Sequence, residues 1–344
     1  MFDALLTVCL LAAPDVCAER LVPVDADDTG ECITRAEAVL STWPGIYRFG
    51  PITCQEPAAG KLTLTPIGPG IFAHHGQVAD IAPGNHGDVS NIGVVIGENS
   101  IAVIDSGGSR EVAEQVYRAI RAQSSLPISH LILTHMHPDH VFGASLFADA
   151  GAKIIGHASL PQALSARAAT YRRSFDRLVG ADVMIGSAIH LPTVTVADTT
   201  EIDLGNRVLR LQAWPTAHTG TDMTVLDAAT GTLFTGDLGF DDHAPALDGS
   251  LLGWEQVLRA FDAMPIKQIV PGHGQVPLSW PGGLDNMRRY LATIKTDARA
   301  AVAAGATLAD AVETIGRSEA GLWALFDLFN PRNATVAFTE LEWE

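Results

Sequence analysis

Short apolar runs, separated by glycine, proline and polar residues, predict β-strands in the middle of the chain. The runs at 92–96 and 101–104 are spaced like a hairpin, and the run at 128–133 has the length of a buried strand. From 109 to 122 apolar residues recur at helical spacing, and Ser109 can cap that helix. The pattern predicts a strand–helix–strand unit.

The same alternation continues on both sides of this unit. Further strands are predicted at 62–67, 71–75, 153–156 and, as a meander, 188–234, and further helices at 143–150, 159–179, 252–263, 283–303 and 308–329. Two halves, each made of a sheet covered by helices, predict an α/β protein with a four-layer α/β/β/α sandwich.

The first 24 residues allow two interpretations. Residues 4–13 are apolar enough for the core of a signal peptide, and residues 16–18 could form its cleavage site. However, residues 1–3 are acidic where a signal peptide is basic. Alternatively, 5–11 and 20–24 form two strands joined by a proline-containing turn.

All four cysteines lie near the N-terminus, and they are Cys9, Cys17, Cys32 and Cys54. They form either a small disulfide-stapled unit or buried thiols, with three pairings open, and a zinc knuckle is disfavoured because no Cys-x-x-Cys pair occurs. A linker-like stretch follows Cys54, so we divide the chain into a Cys-containing unit, 1–57, and a main domain, 58–344. Disulfides would favour the periplasm over the cytoplasm.

The charge balance narrows the class of partner. The 344-residue chain has a formal net charge of −17, which repels nucleic acid and anionic membranes. No apolar run reaches the ~18 to 20 residues of a membrane-spanning helix. A small-molecule substrate is therefore expected. The one compact basic feature is a predicted helix face, or alternatively the rim of an anionic-substrate site, with Arg167, Arg172, Arg173 and Arg177.

The densest group of metal-ligating side chains follows the predicted buried strand at 128–133. His135 and His137 are one residue apart, so in an extended segment both side chains project to the same side and can hold one ion. Asp139 and His140 come next, after Pro138, where a turn can direct them to a second ion.

Three further candidate ligands follow other apolar, strand-like runs. His218, Asp237 and His273 are each flanked by glycine or small residues. One isolated histidine of this kind is usually satisfied by ordinary hydrogen bonds. Together with the group at 135–140, the three residues predict a single metal centre at the ends of several strands.

The order His-x-His-x-Asp-His, then a lone His, an Asp and a last His, resembles the signature of the metallo-β-lactamase superfamily over about residues 60–280. The resemblance implies two zinc ions, one bound by His135, His137 and His218, the other by Asp139, His140 and His273, with Asp237 bridging both. It also implies that Asp139 serves as a catalytic proton acceptor. A bridging aspartate is similar to that of thioesterases and lactonases, and it argues against antibiotic hydrolysis as the native role.

Three segments, 217–222, 237–240 and 245–254, are similar to the quinoprotein relay system zinc metallohydrolases, a branch related to sulfur-oxidation hydrolases. The Cys-containing stretch also resembles a small periplasmic-type module, which would make residues 1–57 part of the mature protein. This resemblance implies a functional link to a periplasmic, pyrroloquinoline-quinone-dependent alcohol oxidation system and its quinoprotein dehydrogenase.

The expected activity is hydrolysis of a carbonyl ester, thioester or lactone by a hydroxide that bridges the two zincs, because bound metal lowers the pKa of water from 15.7 toward ~7. The alternatives are a mononuclear iron enzyme like the persulfide dioxygenases, or a non-catalytic accessory protein that binds a quinone cofactor or a quinoprotein.

Several polar residues near these motifs have open roles. Asp105 either orients a metal-binding turn or acts in a turn or helix cap away from the site. The loop 76–90, with His86, Asp88 and Ser90, either borders the pocket or is ordinary surface, and Asp222 and His243 are candidate substrate or ligand contacts. The histidines expected to be structural are His74, His75, His130, His157 and His190.

Overall fold

The computed structural model describes residues 2–344, and its first unit is a four-stranded antiparallel sheet with one helix. β1 lies at the centre and pairs with each of the other three strands. The elements are β1 (Phe2–Leu10), β2 (Cys17–Val24), α1 (Thr29–Leu40), β3 (Tyr47–Phe49) and β4 (Thr53–Gln55). Residues 2–10 thus form a central strand, as the interpretation of this segment as two strands expects.

Both pairs of cysteines form disulfides within this unit, and they are Cys9–Cys17 and Cys32–Cys54. The first joins β1 to β2 beside the turn of their hairpin, and the second joins α1 to β4. The disulfide alternative to free thiols is therefore confirmed. Two disulfides fit an oxidising, periplasmic or secreted location.

The second sheet has seven strands in the order β11-β10-β9-β8-β7-β6-β5. They are β5 (Thr65–Gly68), β6 (Ile71–His74), β7 (Ile92–Ile96), β8 (Ile101–Ile104), β9 (Ile128–Ile132), β10 (Lys153–His157) and β11 (Val194–Val196). The strands β5 to β8 pair antiparallel, and β8 to β11 pair parallel. The parallel part places the carboxyl ends of β8 and β9 at the same edge.

The third sheet has six strands in sequential order. They are β12 (Thr199–Asp203), β13 (Val208–Ala213), β14 (Met223–Asp227), β15 (Thr232–Phe240), β16 (Gln268–His273) and β17 (Leu278–Ser279). Neighbours are antiparallel except β15 and β16, which are parallel.

Helices cover the outer faces of both large sheets. They are α2 (Arg110–Gln123), α3 (Pro138–Val141), α4 (Ala144–Asp149), α5 (Leu160–Leu178), α6 (Leu251–Phe261), α7 (Asp285–Ala303), α8 (Leu308–Thr314) and α9 (Phe326–Leu341). One apolar core lies between the two sheets, and one lies between each sheet and its helices. Three cores separate four layers, which confirms the predicted sandwich. No helix within residues 2–344 has the length and apolar character needed to cross a membrane.

The last predicted helix was wrong in its bounds. The pattern predicted one helix at 308–329, whereas the chain forms α8, a short 3-10 turn and then α9. Gly316 and Gly321 have φ values of 75° and 84°, a left-handed conformation that ends helices. The chain therefore turns back before α9, which runs on to Leu341.

The N-terminal unit packs closely on the main domain through buried polar contacts. Arg20 donates hydrogen bonds to the carbonyl groups of Asp182, Val183 and Ile185. Arg110, fully buried, donates to the carbonyl of Leu21. The boundary at residue 57 lies between β4 and β5 and remains a prediction, because these contacts join the two parts along a common interface.

Candidate metal centre

The segment after β9 directs four candidate ligands to one edge of the second sheet. His135 and His137 lie in the extended stretch between β9 and α3, and Pro138 occupies the first position of α3. Asp139 and His140 follow in the same short helix. Because the fixed φ of proline suits a helix start, Pro138 places the turn that the sequence predicted.

The third sheet brings the remaining three candidates to the same edge. His218 lies in the loop between β13 and β14, and His273 is the last residue of β16. Asp237, expected after a strand, lies instead inside β15, whose register with β16 shifts on both sides of Gly236. Gly236 has φ +50°, and a Cβ there would collide with Thr134. This irregularity brings Asp237 close to the turn after β9.

The first group of ligand atoms surrounds one oxygen of Asp237. The Nε2 atoms of His135 and His218 lie 3.5 and 3.3 Å from Oδ2 of Asp237, and Nδ1 of His137 lies 4.0 Å away. Nδ1 of His137 is also 3.0 Å from Nε2 of His218. Three imidazole nitrogens and a carboxylate oxygen therefore converge on one point.

The second group surrounds the other oxygen of Asp237. Oδ1 lies 3.1 Å from Nε2 of His140 and 3.4 Å from Nε2 of His273. Oδ2 of Asp139 completes the group, 3.5 and 3.3 Å from the same two nitrogens. The two groups share Asp237 and no other side chain, so this carboxylate has the position of a bridge.

Two buried atoms of the centre have no hydrogen-bond partner within the described chain, and they are Nε2 of His135 and Oδ1 of Asp237. Leaving a buried polar atom unpaired costs about 1–3 kcal/mol, so such atoms call for a partner. Nε2 of His135 faces the first ligand group, and Oδ1 of Asp237 faces the second. Nitrogen and carboxylate donors without thiolate suit zinc. The two sites therefore fit a dinuclear metal centre.

Hydrogen bonds on the outer side fix the orientation of the imidazoles. Nδ1 of His140 lies 2.8 Å from Oδ2 of Asp105, and the same carboxylate accepts from the Thr134 backbone N–H at 2.8 Å. His273 donates from Nδ1 to the carbonyl of Val89 at 2.9 Å. Such partners leave the opposite nitrogen free for a metal.

Two further orienting contacts belong to the segment 245–254. The carbonyl of Ala246 accepts from Nδ1 of His218, and Oδ2 of Asp248 lies 3.1 Å from Nε2 of His137. His137 thus presents Nδ1 to the centre, whereas the other four histidines present Nε2. The segment 245–254, which resembles the quinoprotein relay system zinc metallohydrolases, is therefore in contact with the first ligand group.

Burial and the two carboxylates move the histidine pKa values apart. Burial lowers the pKa of His135 to about 3, although Asp237 opposes it. Burial also opposes protonation of His137 and His273, but hydrogen bonds and charge from Asp237, with Asp248 or Asp139, raise the pKa of each to about 9. Binding of a cation would displace the protons from these two rings.

The carboxylates are held ionised by the same histidines. Burial raises the pKa of Asp139, but His140 and His273 outweigh it and hold that pKa below its ordinary range. The pKa of Asp237 is likewise held well below its usual value, against burial, by His273, His140 and the first-group rings. Both side chains are therefore carboxylate anions at neutral pH and are suited to bind a cation.

Asp105 lies beside the site, which decides between its two predicted roles. Its backbone has φ +62°, an uncommon conformation that Asp adopts more readily than most residues. Its side chain holds His140 and Thr134, whereas α2 is capped by Ser109. Asp105 therefore orients the turn that carries the candidate ligands.

The loop 76–90 both borders the cavity and supports the ligands. Val89 and Ile81 line the cavity, and Ser90 donates to the carbonyl of Asp139 at 2.7 Å. His86 pairs with Glu111, and Asp88 pairs with His74 at 2.6 Å, so neither side chain enters the ligand groups.

The two remaining polar candidates have different positions. Asp222 accepts from the backbone and hydroxyl of Thr219, which holds the turn of His218, and burial raises its pKa to about 7. His243 lines the cavity and stacks on His273 with ring centres 4.9 Å apart. Within the described chain, the five histidines predicted to be structural lie outside both ligand groups.

A cavity of about 350 Å³ opens on the centre, and its far wall was missed by the sequence reasoning. Leu325, Leu328, Phe329 and Arg332, at the start of α9, line it. The predicted helix ended at 329, so nothing in the pattern indicated that these residues return to the site. Of the predicted basic residues, Arg172 pairs with Asp176, as expected for a helix face.

The family model described as "Metallo-beta-lactamase superfamily" matches residues 87–273, more than half of the chain. The solved structure of TMB-1 is 19% identical, with a TM-score of 0.52 over 67% of this chain and 97% of that one. A metallo-beta-lactamase from Pontibacter korlensis is 21% identical, with a TM-score of 0.51 over 62% and 92%.

A double mutant of the sec-alkyl sulfatase PisA1 is 16% identical and gives a TM-score of 0.62, covering 81% of this chain and 50% of that one. The chain thus spans about half the length of the sulfatase. At these identities, the three likenesses show the fold.

Proposed function

Because this chain belongs to the metallo-β-lactamase superfamily, we propose that it is a dinuclear zinc hydrolase that cleaves a carbonyl ester, a thioester or a lactone. The position of Asp237 carries the proposal, since its two oxygens face two separate groups of ligands. A mononuclear iron centre would use one group and leave the other group of converging ligand atoms without a role.

The seven predicted ligands would form two sites, one for each ion. His135, His137 and His218 would hold the first ion, and Asp139, His140 and His273 the second, with Asp237 shared. Two bound zinc ions supply Lewis acidity for the scissile carbonyl and lower the pKa of water so that hydroxide is available near neutral pH.

A side chain that faces the cavity can accept the proton of the attacking water. Asp139 lines the cavity and is ionised, so its carboxylate can accept a proton from the attacking water and return it to the leaving group. Its Oδ2 is fixed at 3.3 Å from Nε2 of His273. We therefore assign Asp139 as ligand and proton acceptor.

We also propose a periplasmic setting with a functional link to a quinoprotein dehydrogenase. The two disulfides support the compartment. The segments 217–222, 237–240 and 245–254, which carry the resemblance to the quinoprotein relay branch, support the link. Loss of the gene should impair growth on an alcohol substrate, and unimpaired growth would contradict the link.

Metal content by mass spectrometry tests the centre. We expect about two zinc ions per chain, and fewer in His140→Ala and Asp237→Ala. His157→Ala is the matched control because His157 lies outside both ligand groups. One iron per chain, or equal zinc in all variants, would overturn the dinuclear assignment. A panel of esters, thioesters, lactones and lactams would then identify the bond that is cleaved.

A further inference from the structure

The cavity has two chemically different walls. One wall consists of metal ligands, among them His137, Asp139 and His273. The opposite wall is apolar and comes from the start of α9, with Leu325, Leu328 and Phe329. The family model ends at residue 273, so this second wall is outside the part of the chain that it matches.

Within the described chain, one Lys or Arg side chain lines the cavity, and it is Arg332, one turn after Phe329. Its guanidinium lies 6.0 Å from the Phe329 ring centre. Among residues 2–344, no carboxylate forms an ion pair with it, whereas Asp248, at the same cavity, is bonded to His137. The charge of Arg332 is thus available to a ligand.

The position of this wall is fixed by hydrogen bonds, of which those of Asn333 are buried. Asn333, next to Arg332, accepts from the backbone N–H of Leu247 at 2.8 Å and donates to the carbonyl of Pro245. Glu340 accepts from the backbone N–H of Leu251 at 2.7 Å. These contacts hold α9 against the segment 245–254, which also orients His137 and His218, so the wall and the ligands are anchored to the same segment.

A path of aromatic contacts relates Arg332 to the metal centre. Phe329 lies 4.7 Å from His243, and His243 lies 4.9 Å from the metal ligand His273, measured between ring centres. Arg332 is therefore three contacts away from the ligand. A substrate that reaches both must have a spacer of several atoms, and the spacer would lie along the apolar wall.

We propose that Arg332 binds an anionic group at the far end of the substrate, while Leu325, Leu328 and Phe329 bind an apolar spacer. This inference rests on the proposed hydrolase function and specifies its substrate class, an amphipathic ester or thioester with one terminal negative charge. In the reaction, water adds to the carbonyl carbon and the C–O or C–S bond breaks. The alcohol or thiol leaves with one proton of the water, the acid leaves as carboxylate with the second proton released to solvent, and the terminal anion is unchanged.

The first test compares matched substrates. The mono-4-nitrophenyl esters of adipic and suberic acid carry a terminal carboxylate, and 4-nitrophenyl hexanoate and octanoate are their neutral counterparts. We expect the zinc-loaded enzyme to prefer the anionic esters in kcat/KM, mainly through KM. Arg332→Gln should reduce this preference about tenfold, as for loss of a charge-assisted hydrogen bond. Arg48→Gln is the matched control, since Arg48 lies on β3, away from the cavity.

A second measurement separates this proposal from the hydrolase proposal. Calorimetric binding of octane-1-sulfonate, a weak metal ligand, is compared with octan-1-ol in the zinc-loaded wild type, Arg332→Gln and Arg48→Gln. Tighter binding of the sulfonate, lost only in Arg332→Gln, would support the anion site even if no ester is hydrolysed. Equal binding in all three proteins, or an ester preference that Arg332→Gln leaves unchanged, would overturn it.

Discussion

Replacing Asp105 with asparagine would test how the centre is held in place. One oxygen of Asp105 accepts from the backbone N–H of Thr134, and the other lies 2.8 Å from both the Thr134 hydroxyl and Nδ1 of His140. All three residues are buried. Asparagine has nearly the same shape and also tolerates positive φ, so the backbone should not be the cause of any effect.

The isosteric amide cannot satisfy this arrangement. An amide group has one oxygen, so its NH₂ must face either the Thr134 N–H or the proton on Nδ1 of His140, and either placement sets two donors against each other. If His140 moves its proton to Nε2, it no longer presents a free nitrogen to the second ligand group. Loss of such an orienting partner typically reduces metal affinity about 10- to 100-fold, or about 1.4 to 2.8 kcal/mol.

The assay is competition with a chelator of known zinc affinity, combined with metal content after dialysis. We expect Asp105→Asn to weaken the second zinc, and urea unfolding of the metal-free variant to show a loss of about 1–3 kcal/mol for an unsatisfied buried donor. Asp227→Asn is the control because Asp227 is also fully buried and hydrogen-bonded, to Arg207, but lies at the opposite end of the third sheet. Wild-type affinity for both zincs in Asp105→Asn would refute the reasoning.

Three further predictions concern charge, ligand orientation and the N-terminal unit. In the metal-free protein, the pKa values of His137 and His273 are raised from 6.5 to about 9. The stability that these shifts contribute is complete below pH 6.5 and is lost as the pH rises through 9. Urea titrations should therefore give a lower free energy of unfolding at pH 9 than at pH 7, and equal values would contradict the pKa shifts. Asp248→Ala removes the partner of His137 and should weaken the first zinc about tenfold in the chelator competition, with no effect expected of Asp198→Ala. The double change Cys32→Ala and Cys54→Ala opens a loop with a sequence separation of 22. It should lower the free energy of unfolding in urea by about 3 kcal/mol and leave the zinc content unchanged. A loss of zinc would show that the N-terminal unit supports the metal centre.

The local elements follow from residue patterns because each depends on short-range chemistry. The hairpin of β7 and β8, the helix after Ser109 and the strand β9 lie within a residue or two of their predicted bounds. The candidate ligands could also be predicted from the sequence. A His-x-His pair in an extended segment projects both side chains to one side, and Pro138 favours the start of a helix.

The tertiary structure determines which residues share the site, because that depends on contacts between distant parts of the chain. The bulge at Gly236 lies where β15 packs against Thr134 too closely for a Cβ, and Asp237 follows it inside the strand. Asp248 reaches His137 across 111 positions of sequence. The return of α9 follows from two glycine-containing turns whose direction is set by packing, and it brings Arg332 to the cavity. Residue type and spacing thus determined the donors, and tertiary packing determined their partners and the wall that a substrate meets.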